Sequence, residues 1–388
     1  MTRHKKKTDT MSFKPTVLQG LWPGAKRRLC AHPAAVESLT PPPPRLPPFR
    51  PWIRTPRSTS TCRRSSSATR AAACAAGPDT ATGVTSKDVA IDAGLAARLH
   101  VPSDVLGKPG DGEKLPLLVY FHGGAFALHS AFSAAHSRFV NALVSAARAV
   151  AVSVEYRLAP EHPLPAAYDD AWAALRWAVA SCAAAGPERE PWLSAHGDIA
   201  RLLVAGDSAG ANIAHNVALR AGRGGLPGGA RIDGIALLHP YFRGRELVPS
   251  EGTDPRSTER ERSERWWAFV CAGRYGFDHP FLNPMAMPAA GWAALGCRRA
   301  LVAVAELDSM SDRGRRYVEA LRGGAWAGEE AVLYETHGEG HVFFLRKSDG
   351  GDKAKEEMIA AVAAFMASSS AEIRLGPSAR SLRCDAKL

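Results

Sequence analysis

The chemistry-bearing residues of this chain gather around one serine. Ser208 sits at the centre of Gly206-Asp207-Ser208-Ala209-Gly210. The apolar run Leu202-Leu203-Val204-Ala205 precedes it and reads as a buried strand, and Ala211 to Arg220 follows with helical character. Gly-x-Ser-x-Gly between a strand and a helix implies a turn so tight that its central residue is held in strained backbone geometry, with the hydroxyl exposed at the carboxyl edge of a sheet. The flanking glycines let strand and helix approach without Cβ clashes. A serine hydroxyl alone is a weak nucleophile. It needs a base to take its proton, an acid to orient that base, and N–H donors for the oxyanion that forms when it attacks a carbonyl.

In α/β-hydrolase order the acid follows the serine and the histidine comes last. The strand Leu301-Val302-Ala303-Val304-Ala305 ends in Glu306-Leu307-Asp308, which makes Asp308 the candidate acid. Its rivals are Glu306, close to the strand end, and Asp312, which falls in the first turn of the next helix, where acids are common because of the helix dipole. The strand Ala331-Val332-Leu333-Tyr334-Glu335 leads to the loop Gly338-Glu339-Gly340-His341, so His341 is the candidate base and His337 its competitor. Upstream, the buried-strand run Leu117-Leu118-Val119-Tyr120-Phe121 opens into His122-Gly123-Gly124-Ala125-Phe126. Glycines there let two backbone N–H groups turn toward one point. The expected oxyanion donors are Gly123 and Gly124, joined by Ala209, with His122 packing and orienting the loop. Ala125, Phe126, Asp207, Trp266 and Trp267 are candidate pocket residues, although aromatic side chains near a cap are as often core. The remaining histidines read as surface or packing residues. No Cys-x-x-Cys or Cys/His ligand spacing occurs, so no structural metal is expected, and serine-based attack of this kind needs no metal or organic cofactor.

Several blocks together carry a family resemblance: His122-Gly123-Gly124, Ser153-Val154-Glu155-Tyr156-Arg157-Leu158-Ala159-Pro160-Glu161-His162-Pro163, Gly206-Asp207-Ser208-Ala209-Gly210-Ala211-Asn212 and Gly338-Glu339-Gly340-His341. From about Pro78 to about Met366 the chain resembles the plant carboxylesterases of the hormone-sensitive-lipase-like group of α/β-hydrolases. The resemblance implies Ser208, Asp308 and His341 as the triad of a serine esterase acting on small-molecule carboxylic esters. Ala125 departs from the pattern, since many members carry a third glycine there. The group also resembles gibberellin receptors, which lack the catalytic histidine, and enzymes that dehydrate hydroxyisoflavanones or convert sugar esters to lactones. His341 is intact here, which favours turnover.

The elements needed to position these residues are legible in coarse outline. Expected strands are Val84–Ile91, Ala97–Val101, 117–121, Val150–Val154, Leu202–Ala205, Ile235–Leu238, 301–305 and 331–335. Expected helices are Ala134–Ala147, one opened by Pro165 and running to about Cys182, and Lys353–Met366. Strands alternating with helices imply an α/β fold with a mostly parallel central sheet and helices on both faces. The polar, charged stretch Arg243 to Arg265, followed by apolar Trp266-Trp267-Ala268-Phe269, reads as a cap insertion over the carboxyl edge at about 243–272. The catalytic domain is expected over 77–368, long enough for one large core, with a flexible tail at 369–388.

Charge is unevenly spread. Residues 1–76 carry 15 Lys/Arg against 2 Asp/Glu, so of the chain's net +11 the remaining residues hold −2. Nucleic-acid binding is therefore not implied for the catalytic region. The basic, Pro/Arg/Ser-rich segment 1–76 has three readings: a disordered tail, a transit peptide, or an alternative start or out-of-frame stretch. The short amphipathic lead segment normal in the group is not found. The chain ends Ala386-Lys387-Leu388, which weakly resembles a peroxisomal address. No run of 18 apolar residues exists, and seven scattered cysteines fit a reducing compartment. The expected location is the cytoplasm, with chloroplast and peroxisome as alternatives. Oligomeric state is open.

Overall fold

Eight strands form one sheet in the order β1-β2-β4-β3-β5-β6-β7-β8. The computed structural model describes residues 77–106, 114–183, 189–252, 258–346 and 352–368. The expected tails at 1–76 and 369–388 lie outside the described residues. Strands β1 (Val84–Asp92) and β2 (Leu95–Pro102) pair antiparallel, and β2 is antiparallel to β4 (Val150–Glu155). From β4 onward all neighbours are parallel, through β3 (Leu115–Phe121), β5 (Gly197–Asp207), β6 (Ile232–Leu238), β7 (Cys297–Ala305) and β8 (Glu330–Thr336).

The parallel strands are near-continuous apolar runs because helices cover both faces. On one face pack α2 (Ala166–Ala183), α4 (Ala209–Gly224) and α7 (Ser311–Arg322); their buried side chains join one half of the core with Phe121, Val204 and Val302. On the other face α1 (Ala134–Ala147) and α8 (Lys353–Ala367) bury Phe139, Leu143, Met358 and Phe365 against Leu118, Leu203 and Leu301. Alternate residues of each strand thus feed opposite halves of the core. Two short helices were not anticipated, α3 (Pro191–His196) and α6 (Ala289–Ala293). Within the expected cap, α5 (Glu259–Val270) is a helix despite its charged start, because the carboxyl-terminal half supplies Trp267 and Val270 to the core.

The strand order explains where a site belongs. After β4 the chain crosses back and adds β5 on the other side of β3. In open α/β sheets such a reversal leaves a crevice at the carboxyl ends of the two strands that flank it, which is where ligands bind. Here those strands end in His122-Gly123 and in Asp207-Ser208.

Candidate active site

Ser208 joins β5 to α4 with φ 53° and ψ −114°, a region non-glycine residues rarely occupy. Sheet and helix enforce it. The Ser208 N–H donates to the Leu238 carbonyl on β6 at 2.9 Å, and the Tyr241 N–H donates to the Ser208 carbonyl at 3.0 Å. At Gly210 a Cβ would lie 1.9 Å from the Phe121 carbonyl oxygen, so α4 approaches β3 only because that residue has no side chain.

Two later loops bring partners to the hydroxyl. The His341 Nε2 lies 2.9 Å from Ser208 Oγ, and its Nδ1 lies 2.6 Å from Asp308 Oδ2. The loops after β7 and β8 are stitched together: Leu307 N–H donates to the Glu339 carbonyl and Gly338 N–H to Glu306 Oε2, each at 2.9 Å. Burial would raise the Asp308 carboxyl. The His341 contact, the Met310 N–H at 3.0 Å and nearby His239 outweigh that and hold it below the usual carboxylate range. The rivals fall elsewhere. Glu306 holds the loop of His341 and sits beside exposed His337, and Asp312 pairs with Arg315. His122 is buried, stacked on Tyr156 at 4.3 Å, and bonded to the Gly123 carbonyl; burial drives its imidazole down to about 3, so it is neutral.

The oxyanion loop corrects one expectation. The Gly123 N–H donates to Asp207 Oδ1 at 3.0 Å, so it is committed to that carboxylate and is not an oxyanion donor. A Cβ at Gly123 would meet Asp207 Oδ2 at 2.2 Å, which is why the approach needs glycine. Gly124 and Ala125 follow with positive φ of 115° and 49°, and among the described residues neither N–H has a protein acceptor. Ala209 opens α4, where a first-turn N–H has no intrahelical partner.

Asp207, Phe126 and Trp267 are also corrected as pocket candidates, since each is only 1% exposed. Asp207 accepts from the Tyr120 hydroxyl at 2.6 Å and from Gly123, with His136 Nε2 in close electrostatic contact at 3.4 Å. Burial opposes its charge, but His136 and Tyr120 prevail and its carboxyl falls to about 2. Phe126 packs edge-on against Tyr168, Tyr241 and Trp267. The Trp267 indole donates to the carbonyls of Tyr275 and Gly276. Trp266, only half-buried, donates its indole N–H to the Ala125 carbonyl at 3.1 Å.

Sequence reasoning passed over His239, at the end of β6. Its Nδ1 accepts the N–H of Val342, the residue after His341, at 3.0 Å, and lies 3.7 Å from Asp308 Oδ2. His239 and Val342 both have positive φ, 49° and 47°. Burial lowers the imidazole to about 4, so it stays neutral and can accept. The available signal was position: His239 follows a strand as Ser208 and Asp308 do. His239, Asp308 and His341 are also the described residues compact enough to hold a metal. Their inward lone pairs are already engaged, in the Asp308–His341 hydrogen bond and in the bond from Val342.

A parallel sheet with a strained serine after β5, an acid after β7 and a histidine after β8 defines an α/β-hydrolase. The model of the alpha/beta hydrolase fold matches residues 118–345. The chain belongs to this family and, within it, to the plant carboxylesterases of the hormone-sensitive-lipase-like group. It is 42% identical over 294 residues to a 2-hydroxyisoflavanone dehydratase of Glycyrrhiza echinata, covering 74% of this chain and 87% of the relative. It is 40% identical to probable carboxylesterase 2 of Arabidopsis thaliana, covering 76% and 88%. It is 44% identical to the chloroplastic tuliposide A-converting enzyme 1 of Tulipa gesneriana, covering 69% of this chain and 66% of that enzyme. Among solved structures, the esterase LipW of Mycobacterium marinum is similar with a TM-score of 0.59 and 27% identity, covering 74% of this chain and 82% of that one. No helix among the described residues is long and apolar enough to cross a membrane.

Proposed function

We propose that this protein is a serine carboxylesterase acting on small-molecule esters. The observation that carries the reading is the relay from Ser208 Oγ to His341 Nε2 at 2.9 Å and from His341 Nδ1 to Asp308 at 2.6 Å. In this mechanism His341 takes the serine proton as Oγ attacks the ester carbonyl. Asp308 fixes the tautomer that leaves Nε2 free to accept and stabilises the imidazolium that forms. The N–H groups of Gly124, Ala125 and Ala209 receive the oxyanion; losing one such donor costs about 3–4 kcal/mol of transition-state stabilisation. His341 then protonates the departing alcohol, and water, activated the same way, releases the acid from the acyl-enzyme.

The test is cleavage of p-nitrophenyl acetate and butyrate by the purified protein. Ser208→Ala and His341→Ala are each expected to lower kcat by at least about 10⁴-fold with the fold retained. A folded wild-type protein that binds such esters without cleaving them would instead mark a receptor-like binder. A second reading, elimination or lactonisation at the same serine, is favoured by the likeness to the liquorice dehydratase and the tulip converting enzyme. Product analysis with hydroxyisoflavanones and sugar esters separates these from hydrolysis. The location we favour is the cytoplasm. A plastid location, supported by the likeness to the chloroplastic tulip enzyme, would show as plastid fluorescence of a carboxyl-terminal fusion.

A further inference from the structure

The Trp266 indole reaches across 141 residues of sequence from α5 to the oxyanion loop. There it meets a backbone in need of support. Gly124, Ala125 and Phe126 have consecutive positive φ of 115°, 49° and 65°, and two of the three carry a Cβ that disfavours this region. Ala125 escapes only if one of the two peptide planes flanking its Cα swings. One of those planes carries the Ala125 N–H proposed as oxyanion donor, and the other carries the carbonyl that Trp266 holds at 3.1 Å. The next carbonyl, that of Phe126, is fixed by the Ala159 N–H at 3.0 Å. Trp267 beside Trp266 anchors the helix itself, with its indole bonded to Tyr275 and Gly276. The indole of Trp266 is therefore a strut between a fixed helix and a strained loop.

We infer that Trp266 is a positioning residue: its N–H keeps Ala125 in the left-handed region and thereby aims the Ala125 N–H at the oxyanion. This role rests on the esterase reading above. It makes the geometry of the oxyanion hole depend on how α5 is seated, so the segment over the site sets turnover as well as access. It also explains how alanine functions at a position whose φ suits glycine: the clamp supplies the restraint that the side chain resists.

The experiment is a double-mutant cycle read with p-nitrophenyl butyrate. Trp266→Phe keeps a ring and removes the donor. It is expected to lower kcat about five- to tenfold, the size of one lost neutral hydrogen bond, with KM changed less than about twofold. Affinity for an aryl trifluoromethyl ketone, whose hemiketal oxyanion occupies the hole, is expected to fall in parallel with kcat. Glycine adopts the required φ unaided. In an Ala125→Gly background the same Trp266→Phe change is therefore expected to lower kcat less than about twofold. If Trp266→Phe does not fold, benzothienylalanine at 266 replaces the indole N–H by sulfur at nearly constant shape and serves in its place. An unchanged kcat, a rise in KM alone, or an undiminished penalty in the Ala125→Gly background would each overturn the proposal. A wild-type protein without Ser208-dependent cleavage would overturn the esterase reading itself, and this role with it.

Discussion

Asp207 is next to Ser208, yet the structure makes it a buried anchor, and Asp207→Asn isolates what its charge contributes. The Tyr120 hydroxyl, the Gly123 N–H and His136 Nε2 all converge on the single oxygen Oδ1. An asparagine placed with its carbonyl oxygen there keeps both hydrogen bonds, so the substitution removes charge with little change of shape. The carboxyl is held from an ordinary 3.8 down to about 2. That fall corresponds to about 2 kcal/mol of preference for the ionised form in the folded state. Because the folded value is depressed, this stability is present above pH 3.8 and is lost only as pH drops toward 2. Urea unfolding at pH 7 is therefore expected to show Asp207→Asn less stable by about 2 kcal/mol, the upper figure if the neutral hydrogen bonds strengthen. A variant as stable as wild type at pH 7 would refute the reasoning.

Three further outcomes are expected. His239→Phe, which keeps a ring but loses the acceptor for the Val342 N–H, should lower kcat about tenfold, whereas His239→Asn, whose Oδ1 mimics Nδ1, should recover most of it; equal rates for the two would remove His239 from the positioning of His341. Asp308→Asn should lower kcat by about 10³–10⁴-fold, measured with p-nitrophenyl butyrate on protein shown by circular dichroism to be folded. His100, His122, His215 and His239 are buried with imidazoles lowered to about 4, 3, 3 and 4, so each stabilises the fold fully above its ordinary 6.5 and loses that contribution as pH falls toward its folded value. The unfolding free energy from urea titrations should drop steeply below pH 6.5, by about 1 kcal/mol per pH unit from each histidine.

The strand cores were readable as apolar runs, but their starts were not. β7 begins at Cys297 and includes Arg298-Arg299, and β6 begins at Ile232 ahead of Asp233. Charges in a buried strand argue against a strand on local grounds. Here Arg299 is fully buried because its guanidinium pairs with Asp233 across the β6–β7 ladder and donates to the Phe365 carbonyl on α8. Removing Asp233 would leave the buried Arg299 charge uncompensated, a cost of about 3–5 kcal/mol, whereas Asp233 also has Arg298 beside it. The pairing is a fact of the assembled sheet, so no window of sequence contains it. The cap helix was obscured the same way, by a charged first half whose partners lie elsewhere: Glu259 reaches back to Arg243.

The site divides along the same line. The serine, the acid and the histidine were legible because each sits in a loop just after a recognisable strand, and parallel strands deliver all their carboxyl ends to one edge. Which N–H groups remain for an oxyanion was not legible, because that depends on which one Asp207 consumes. The neighbouring tryptophans make the limit concrete. Adjacent residues on a helix point about 100° apart, so Trp266 and Trp267 face different directions. One of them had to turn into the core, and Trp267 does, bonding Tyr275 and Gly276 beneath Phe126. The other was then left facing the oxyanion loop, where its N–H meets Ala125. Helical geometry alone therefore sends the two indoles in different directions, and only the packed structure decides which of them touches the loop at Ala125.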